Sequence, residues 1–572
     1  MSRQRSELPS LSSTSARRPA ASFLTNTASG SGRRRLEEGP YTAYDASEGN
    51  ALRPGGVVSL WSRDYFGLVV QYASVGIIYG ALPATVYPFL TNYLNMEGTQ
   101  ITSAKMMLML PWSLKAFYGI LTDCISIGGY RRRPYIVFGW TIAVSVCLVM
   151  ASMDAGPPYF PLAKYSHMST IEWTPEIRAT FNEHSRTVGS IYIILMMTAA
   201  FGYIFAVVAT DGIMVSLAQR EPQEIRGRTQ TASYLVRTIF VTFSNVLVGF
   251  TLNSEHYGGT FTFSLSFNNI MLIVGVMCAP AIPMTWFFIR EDKHPGHKMK
   301  PYLRNFWRIL QTRVMYQVIA NKFFGGIFEN FAVTCNEIVQ RNWAGTEPIN
   351  EKVSVVIGNI LYSTTLWATG KFGLAWNWRT MQVVTILTVV VLDSFTSMLT
   401  IWDVIRNQWF WLGVPLAEYL PHAIGTIIAS YVVVELAEEG SESAMYGLLT
   451  SSANIGSPFS STLAKAVDSH FDITNEDIQS DTLHVRQQVT YAYLVKYGMN
   501  IVGLAWVSLL PKQKADAQRI KKTGGSSWWM GLFTALYLIF AIFWALLVNI
   551  LSILPQTSCL AFAGGRGCSA TG

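Results

Sequence analysis

The residues with chemical potential here are the polar and ionisable side chains that interrupt long apolar runs. Lys115, Asp211, Arg237, Lys322, Glu329, Asn330, Asp393 and Glu418 each stand inside or at the edge of such a run. A charge surrounded by hydrocarbon is costly, so each should face a partner or a water-filled path. Lys322 and Glu329 are seven residues apart, near one helical face, and share their segment with Phe323, Phe324 and Asn330. These positions are candidates for binding a solute or a coupling ion; a buried ion pair is the structural alternative. Glu418 and His422 stand one helical turn apart, but no third ligand accompanies them, so no metal is expected. No phosphate-binding glycine loop, dinucleotide fingerprint, zinc motif or nucleophile elbow is visible. No cofactor, enzyme activity or nucleotide-driven pump is therefore expected.

A second charged set lies between apolar runs. Residues 115–140 read KAFYGILTDCISIGGYRRRPYIVFGW. Asp123 ends one run, and Arg131, Arg132 and Arg133 begin the next. One aspartate cannot neutralise three arginines. Glu435, Glu438, Glu439 and Glu442, far along the chain, are the expected partners, meeting the arginines in a charge-paired gate that forms and breaks between two states. Retention of the loop on one side of a membrane is the simpler alternative.

The elements that must position these residues are membrane helices. The 572 residues are 50% hydrophobic and only 14% charged, against about 25% charged in soluble chains. Thirteen apolar stretches of about 20 residues, each long enough to span hydrocarbon, run from 66 to 554. The net charge of +8 follows topology rather than a nucleic-acid partner. Loops after even-numbered stretches hold about 20 Lys and Arg, and the others about 8, so the basic loops and N-terminus are expected in the cytoplasm.

This predicts an all-α polytopic membrane protein in five parts. Residues 1–56 form a disordered cytoplasmic tail, with a transit peptide as the alternative. Residues 57–289 form one six-helix bundle, 290–313 a basic linker, and 314–511 a second bundle. Residues 512–572 hold a basic loop, an extra helix and a non-cytoplasmic tail. In that tail, a disulfide between Cys559 and Cys568 is expected. The exits VSLAQREPQEIRGRTQTASYLVR (215–237) and VVELAEEGSESAMYGLLTSSANIG (433–456) repeat a Leu-Ala, charged-turn, polar-helix pattern at equivalent places in the two bundles.

GILTD followed by GYRRRP resembles the loop signature of the major facilitator superfamily. With LPWSLKAFYGILTD, DGIMVSLAQREPQEIRGRTQ and GSESAMYGLLTSSANIGSP, the chain is similar to the folate–biopterin transporters. KAFYG stands where that family commonly has Lys-Pro-Leu-Tyr-Gly. The resemblance implies two six-helix halves working by alternating access on a folate- or pterin-like solute, with proton symport. Such a solute needs rings to stack on, amide or carboxylate partners for its ring nitrogens, and cations for its carboxylates. Glu329 is the first candidate for the coupling proton, with Asp211 and Glu418 as alternatives. Another amphiphilic organic anion, a nucleoside-like methyl donor, or a sensor that binds without transport remain open. The expected partners are the solute, protons and the lipid bilayer, with the plasma membrane favoured over an organellar one.

Overall fold

The computed structural model describes residues 51–553, apart from 97, 163, 168–173, 294–295, 347, 439, 469 and 474, together with 557 and 560. Glu439 and the Cys559–Cys568 pairing lie outside the described residues. The described residues are helical, with only isolated β-bridges.

Thirteen helices correspond to the thirteen apolar stretches. In the first half these are α1 (Phe66–Tyr93), α2 (Gly98–Ser113 and Lys115–Cys124), α3 (Arg133–Ser152), α4 (His184–Ala218), α5 (Arg228–Thr251) and α6 (Phe267–Phe288). In the second half they are α7 (Arg313–Ala320, Asn321–Gly325 and Gly326–Glu329), α8 (Pro348–Phe372), α9 (Trp378–Ile401), α10 (Gln408–Leu436), α11 (Glu442–Asp468) and α12 (Leu483–Val502). The extra helix is α13 (Trp528–Ile553).

Seven of these helices, α1, α3, α4, α5, α6, α9 and α10, are long and apolar enough to cross a membrane on their own composition. Three of the others, α2, α7 and α11, depart for visible reasons. Pro111 lies inside α2, which breaks at Leu114; α7 is interrupted by a wider π-helical turn at Asn321–Gly325. The Ser, Thr and Asn residues of α11 lower its hydropathy. These irregular helices surround the cavity described below, where protein and water can satisfy an interrupted backbone.

The α1–α5 seam shows how glycine sets the architecture. A Cβ on Gly76 would lie 2.3 Å from the Arg237 carbonyl, and one on Gly80 2.9 Å from Val241. The small-xxx-small spacing thus permits backbone contact between the helices. At the seam between halves, a Cβ on Gly119 would lie 2.5 Å from the Ala444 backbone. The glycine of the GILTD motif therefore brings α2 onto α11.

The basic loops gather at one end. Arg131, Arg132 and Arg133 donate backbone N–H groups to Glu291 at 3.0 Å each, placing a carboxylate on the N-terminus of α3, where the helix dipole favours it. Lys514 Nζ reaches the Gln223 carbonyl at 3.1 Å, and Trp378 N–H reaches the Lys512 carbonyl at 2.8 Å. Residues 51–53, expected within the disordered tail, are held here instead: Leu52 and Arg53 donate backbone N–H groups to the Gln219 carbonyl at 3.0 and 3.1 Å. Helix α13 packs on α2, α7 and α11, and Tyr537 lies 5.3 Å ring to ring from Phe323.

Candidate functional site

A cavity of about 400 Å³ lies between the two halves, within the range of small-molecule sites. The first half lines it with Trp112, Lys115, Tyr234 and Arg237; the second contributes Lys322, Glu329, Gln382, His422, Tyr446, Asn454 and Asn500 among others. Lys115 stands where α2 breaks. Its ammonium lies 3.6 Å from Asp211 Oδ2 and 4.5 Å from the centre of the Trp112 ring. Behind it, Tyr72 donates a hydrogen bond to Asp211 Oδ1 at 2.8 Å. The Arg237 guanidinium lies 4.4 Å over the Tyr234 ring. Among the described residues, no carboxylate comes within 4.0 Å of Arg237 or Lys322. Glu329 accepts a hydrogen bond from Gln382 at 3.0 Å.

The wall therefore presents three cations and one carboxylate. Asp211 acts on both Lys115 and Arg237 from behind, and Glu329 acts on Lys322, which leaves the wall with one cation in excess. Such a wall favours an anion, and Trp112, Tyr234 and Tyr446 supply faces for a flat ring.

The candidates picked out by sequence divide into three groups. Lys115, Arg237, Lys322 and Glu329 line the cavity, with Asp211 directly behind. Asn330 does not join them; its amide donates back to the Gly326 carbonyl at 2.7 Å. Asp393 and Glu418 lie in a separate cluster of α9, α10 and α12, where Asp393 is bound by Lys496 at 2.6 Å and interacts electrostatically with Glu418. Asn454 belongs to the Ser- and Asn-rich stretch of α11, whose polarity suits a water-filled cavity, and it lines this one. Gln382, Asn500 and Tyr72 were not singled out by sequence. Isolated amides in apolar helices were the available signal for the first two; Tyr72 gave none, because tyrosine is ordinary in such helices. Among the described residues, no three His, Cys, Asp or Glu side chains gather as a metal site.

The basic end closes over this cavity through a set of cross-half contacts. Arg132, 5% exposed, pairs with fully buried Glu442 and donates to Ser216 Oγ at 2.9 Å. Glu442 also receives Arg53 from the segment before α1. Asp123 accepts the Ala444 N–H at 3.0 Å, so the aspartate of the first half sits on the N-terminus of α11 in the second, a favourable charge–dipole contact. Tyr302 of the linker donates to the same carboxylate at 3.2 Å. Separately, Arg226 donates to both oxygens of Glu435 at 2.8 Å, and Gln219 donates to the carbonyls of Val434 and Ala437 at 2.8 and 2.7 Å.

The pairing differs from the expected pattern. Among the described residues, only Arg132 of the three arginines forms an ion pair with a glutamate of the second half. Arg131 contacts His297 at 3.1 Å. Arg133 turns to the Trp286 carbonyl and lies over the Tyr130 and Trp286 rings at 5.1 and 4.9 Å. Glu435 takes Arg226 instead, and Glu438 faces Arg308 at 3.8 Å and Asn305 at 3.5 Å. Below this layer, burial pushes the Lys514 ammonium down to about 8, opposed by the charge of Glu435.

Comparison with known proteins places these features in a family context. The BT1 family profile matches residues 76–170, which include α2, the Asp123 loop and α3. A curated relative, "Probable folate-biopterin transporter 4" of Arabidopsis thaliana, is 24% identical over 194 residues. That match spans 34% of this chain and 31% of the relative. The fold is similar to a proton:xylose symporter of the major facilitator superfamily bound to 6-bromo-6-deoxy-D-glucose, with TM-score 0.51 and 11% identity. The overlap covers 80% of this chain and 98% of that one. It is also similar to a D-xylose-proton symporter, with TM-score 0.51 and 10% identity, over 78% of this chain and 97% of the other. The expected resemblance to folate–biopterin transporters is borne out, and the fold is that of the major facilitator superfamily: an all-α, multi-pass membrane protein.

Proposed function

We propose that this protein is a secondary transporter of folate- or pterin-like anions that works by alternating access and is driven by protons. The central cavity carries the reading. Its two cations without a close carboxylate, Arg237 and Lys322, suit the carboxylates of the solute. Its rings suit a flat heterocycle, and Glu329, Gln382, Asn454 and Asn500 can pair with ring nitrogens and amides. The name of the plant relative and the family profile support the solute class. The two similar structures are described as proton symporters, which supports the driving ion. In this reading the basic end faces the cytoplasm of a plasma-membrane protein, and the structure is its state closed on that side.

The cation excess does not itself choose a ring system, so another amphiphilic organic anion, including a nucleoside-like methyl donor, is the second reading. Counterflow in reconstituted vesicles tests both. Vesicles preloaded with unlabelled folic acid should take up labelled folic acid transiently above equilibrium, and neutral biopterin should compete more weakly. Saturable binding without counterflow would make the protein a sensor. Counterflow of other organic anions alone would move the assignment to the second reading.

A further inference from the structure

The second half contains a charged cluster that solute binding does not use. Asp393 of α9 accepts two hydrogen bonds on one oxygen, from Lys496 at 2.6 Å and Tyr497 at 2.7 Å, both on α12. Glu418 lies in the 3-10 turn Val414–Glu418 of α10, which packs on α9. It interacts electrostatically with Asp393 and Lys496. One of its oxygens, Oε1, is buried with no hydrogen-bond partner. Among the described residues, the other titratable groups facing the cluster are Tyr493 and Tyr497 of α12, whose ring centres lie 5.4 and 5.5 Å from the Lys496 ammonium, Tyr419 of α10, which acts on Glu418, and Cys335, which acts on Lys496. None of these supplies a second fixed cation.

With every acid ionised, two carboxylates and one lysine leave this cluster at a formal charge of −1. One bound proton brings it to zero, the state that an apolar surrounding favours. A carboxylate oxygen without a donor is where that proton has room to bind. The cluster also has a route to the solute. His422 stands one helical turn from Glu418 and lines the cavity, so a change of charge at Glu418 is felt one turn away from the bound anion.

We propose that the Asp393–Glu418 pair, held by Lys496 and Tyr497, is the binding site of the coupling proton. This rests on the proton-driven reading above and separates the proton from the solute: the anion binds in the cavity, and the proton binds on Glu418 outside it. The proton leaves water on one side, bonds to a Glu418 oxygen, and is released to water on the other. No bond of the solute is made or broken.

Two measurements on the reconstituted full chain decide it. Infrared difference spectroscopy of the purified protein across a pH titration needs no solute. A carbonyl band of a protonated carboxyl group should be present in the wild type and absent in Glu418→Gln. Asp393→Asn should shift its titration if the two acids share the proton. In vesicles with an inward proton gradient, the wild type should concentrate labelled folic acid, and Glu418→Gln should only equilibrate it, a ratio of about 1, while exchange continues above empty vesicles. The site is overturned if the wild-type band survives Glu418→Gln. It is also overturned if Glu418→Gln still concentrates folic acid, or if Glu329→Gln alone loses accumulation. A wild type that exchanges folic acid but never concentrates it under the gradient would instead remove the proton-driven reading, and this site with it.

Discussion

Neutralising Glu442 should open the basic end. Its carboxylate is fully buried and shared by Arg132 and Arg53, while Arg132 itself is 5% exposed. In Glu442→Gln, the guanidinium of Arg132 stays buried, and among the described residues Asp123, 3.9 Å away, is then its one carboxylate within 4.0 Å. Removing one member of a buried pair costs about 3–5 kcal/mol. The retained amide oxygen and Asp123 place this case near the lower end, about 3 kcal/mol. That penalty falls only on the state in which the two halves meet, so it shifts the closed-to-open ratio about 100-fold. A 99:1 preference for closure would become nearly even.

Ser451 is a suitable reporter. It lies on α11 at the level of the cavity, with the lining residues Thr450 and Asn454 on either side of it in sequence, is 2% exposed, and donates to the Trp112 carbonyl at 3.2 Å. In a Ser451→Cys background with Cys124→Ala, a thiol reagent applied from the basic side should label Glu442→Gln tens of times faster. Arg132→Glu should open the end further, because it sets a third carboxylate beside Asp123 and Glu442. Combining Arg132→Glu with Glu442→Arg should restore part of the protection, limited by Arg53. Unchanged labelling in both single variants at matched protein levels would refute electrostatic closure.

Three further outcomes follow from the same geometry. Lys322→Ala and Arg237→Ala should each weaken folic acid by about 10- to 100-fold, the loss of one charge-assisted hydrogen bond, and neutral biopterin much less; equal losses would make these cations structural. Arg226→Ala should lower the melting temperature of the purified protein by leaving buried Glu435 without its arginine, at a cost of about 3 kcal/mol, and an unchanged melting curve would show that Lys514 and Gln518, which donates to Glu435 Oε2 at 2.9 Å, suffice. Lys514 has its affinity for a proton lowered from 10.5 to about 8 by burial, so the folded chain sheds that proton first. Its contribution to stability therefore grows as pH rises from about 8 to about 10.5 and is lost below. The melting-temperature difference between wild type and Lys514→Met should move in favour of the wild type between pH 7.5 and pH 9.5, and a constant difference would refute the burial cost.

What the sequence revealed depended on contrast. Lys115, Arg237, Lys322 and Glu329 stand out because a charge is conspicuous among apolar neighbours, and all four line the cavity. The same contrast marked Asp393 and Glu418, but sequence gave no means to separate them from the cavity, since that depends on which faces α9, α10 and α12 turn to one another. Arg53 and Arg226 were missed as cross-half contacts for the opposite reason. Each lies in a polar segment where another arginine draws no attention, yet each reaches a buried glutamate of the second half. Tyr302 and its bond to Asp123 were hidden in a basic linker that read as topology alone.

The three arginines show why composition named the right loop, and Glu442 among its partners, but not which arginine meets it. They lead into α3, which begins at Arg133, with Arg132 as its non-helical N-cap and Arg131 in the loop before it, so each stands on a different backbone conformation. Three side chains so placed cannot all face the same neighbour. The middle one, Arg132, faces the seam and reaches Glu442, while Arg131 turns to the linker at His297 and Arg133 to the end of α6 at Trp286. Their backbone N–H groups meanwhile share the single carboxylate of Glu291. Arg131 thus ties the loop to the linker and Arg133 ties α3 to α6, so changing either should loosen this end of the first half before it opens the seam. The charge that answers the second half is carried by Arg132 and, on the other side of the loop, by Asp123 at the N-terminus of α11. One cation and one anion facing a glutamate and a helix dipole make a contact that is satisfied only when the halves meet, which is the property a gate requires.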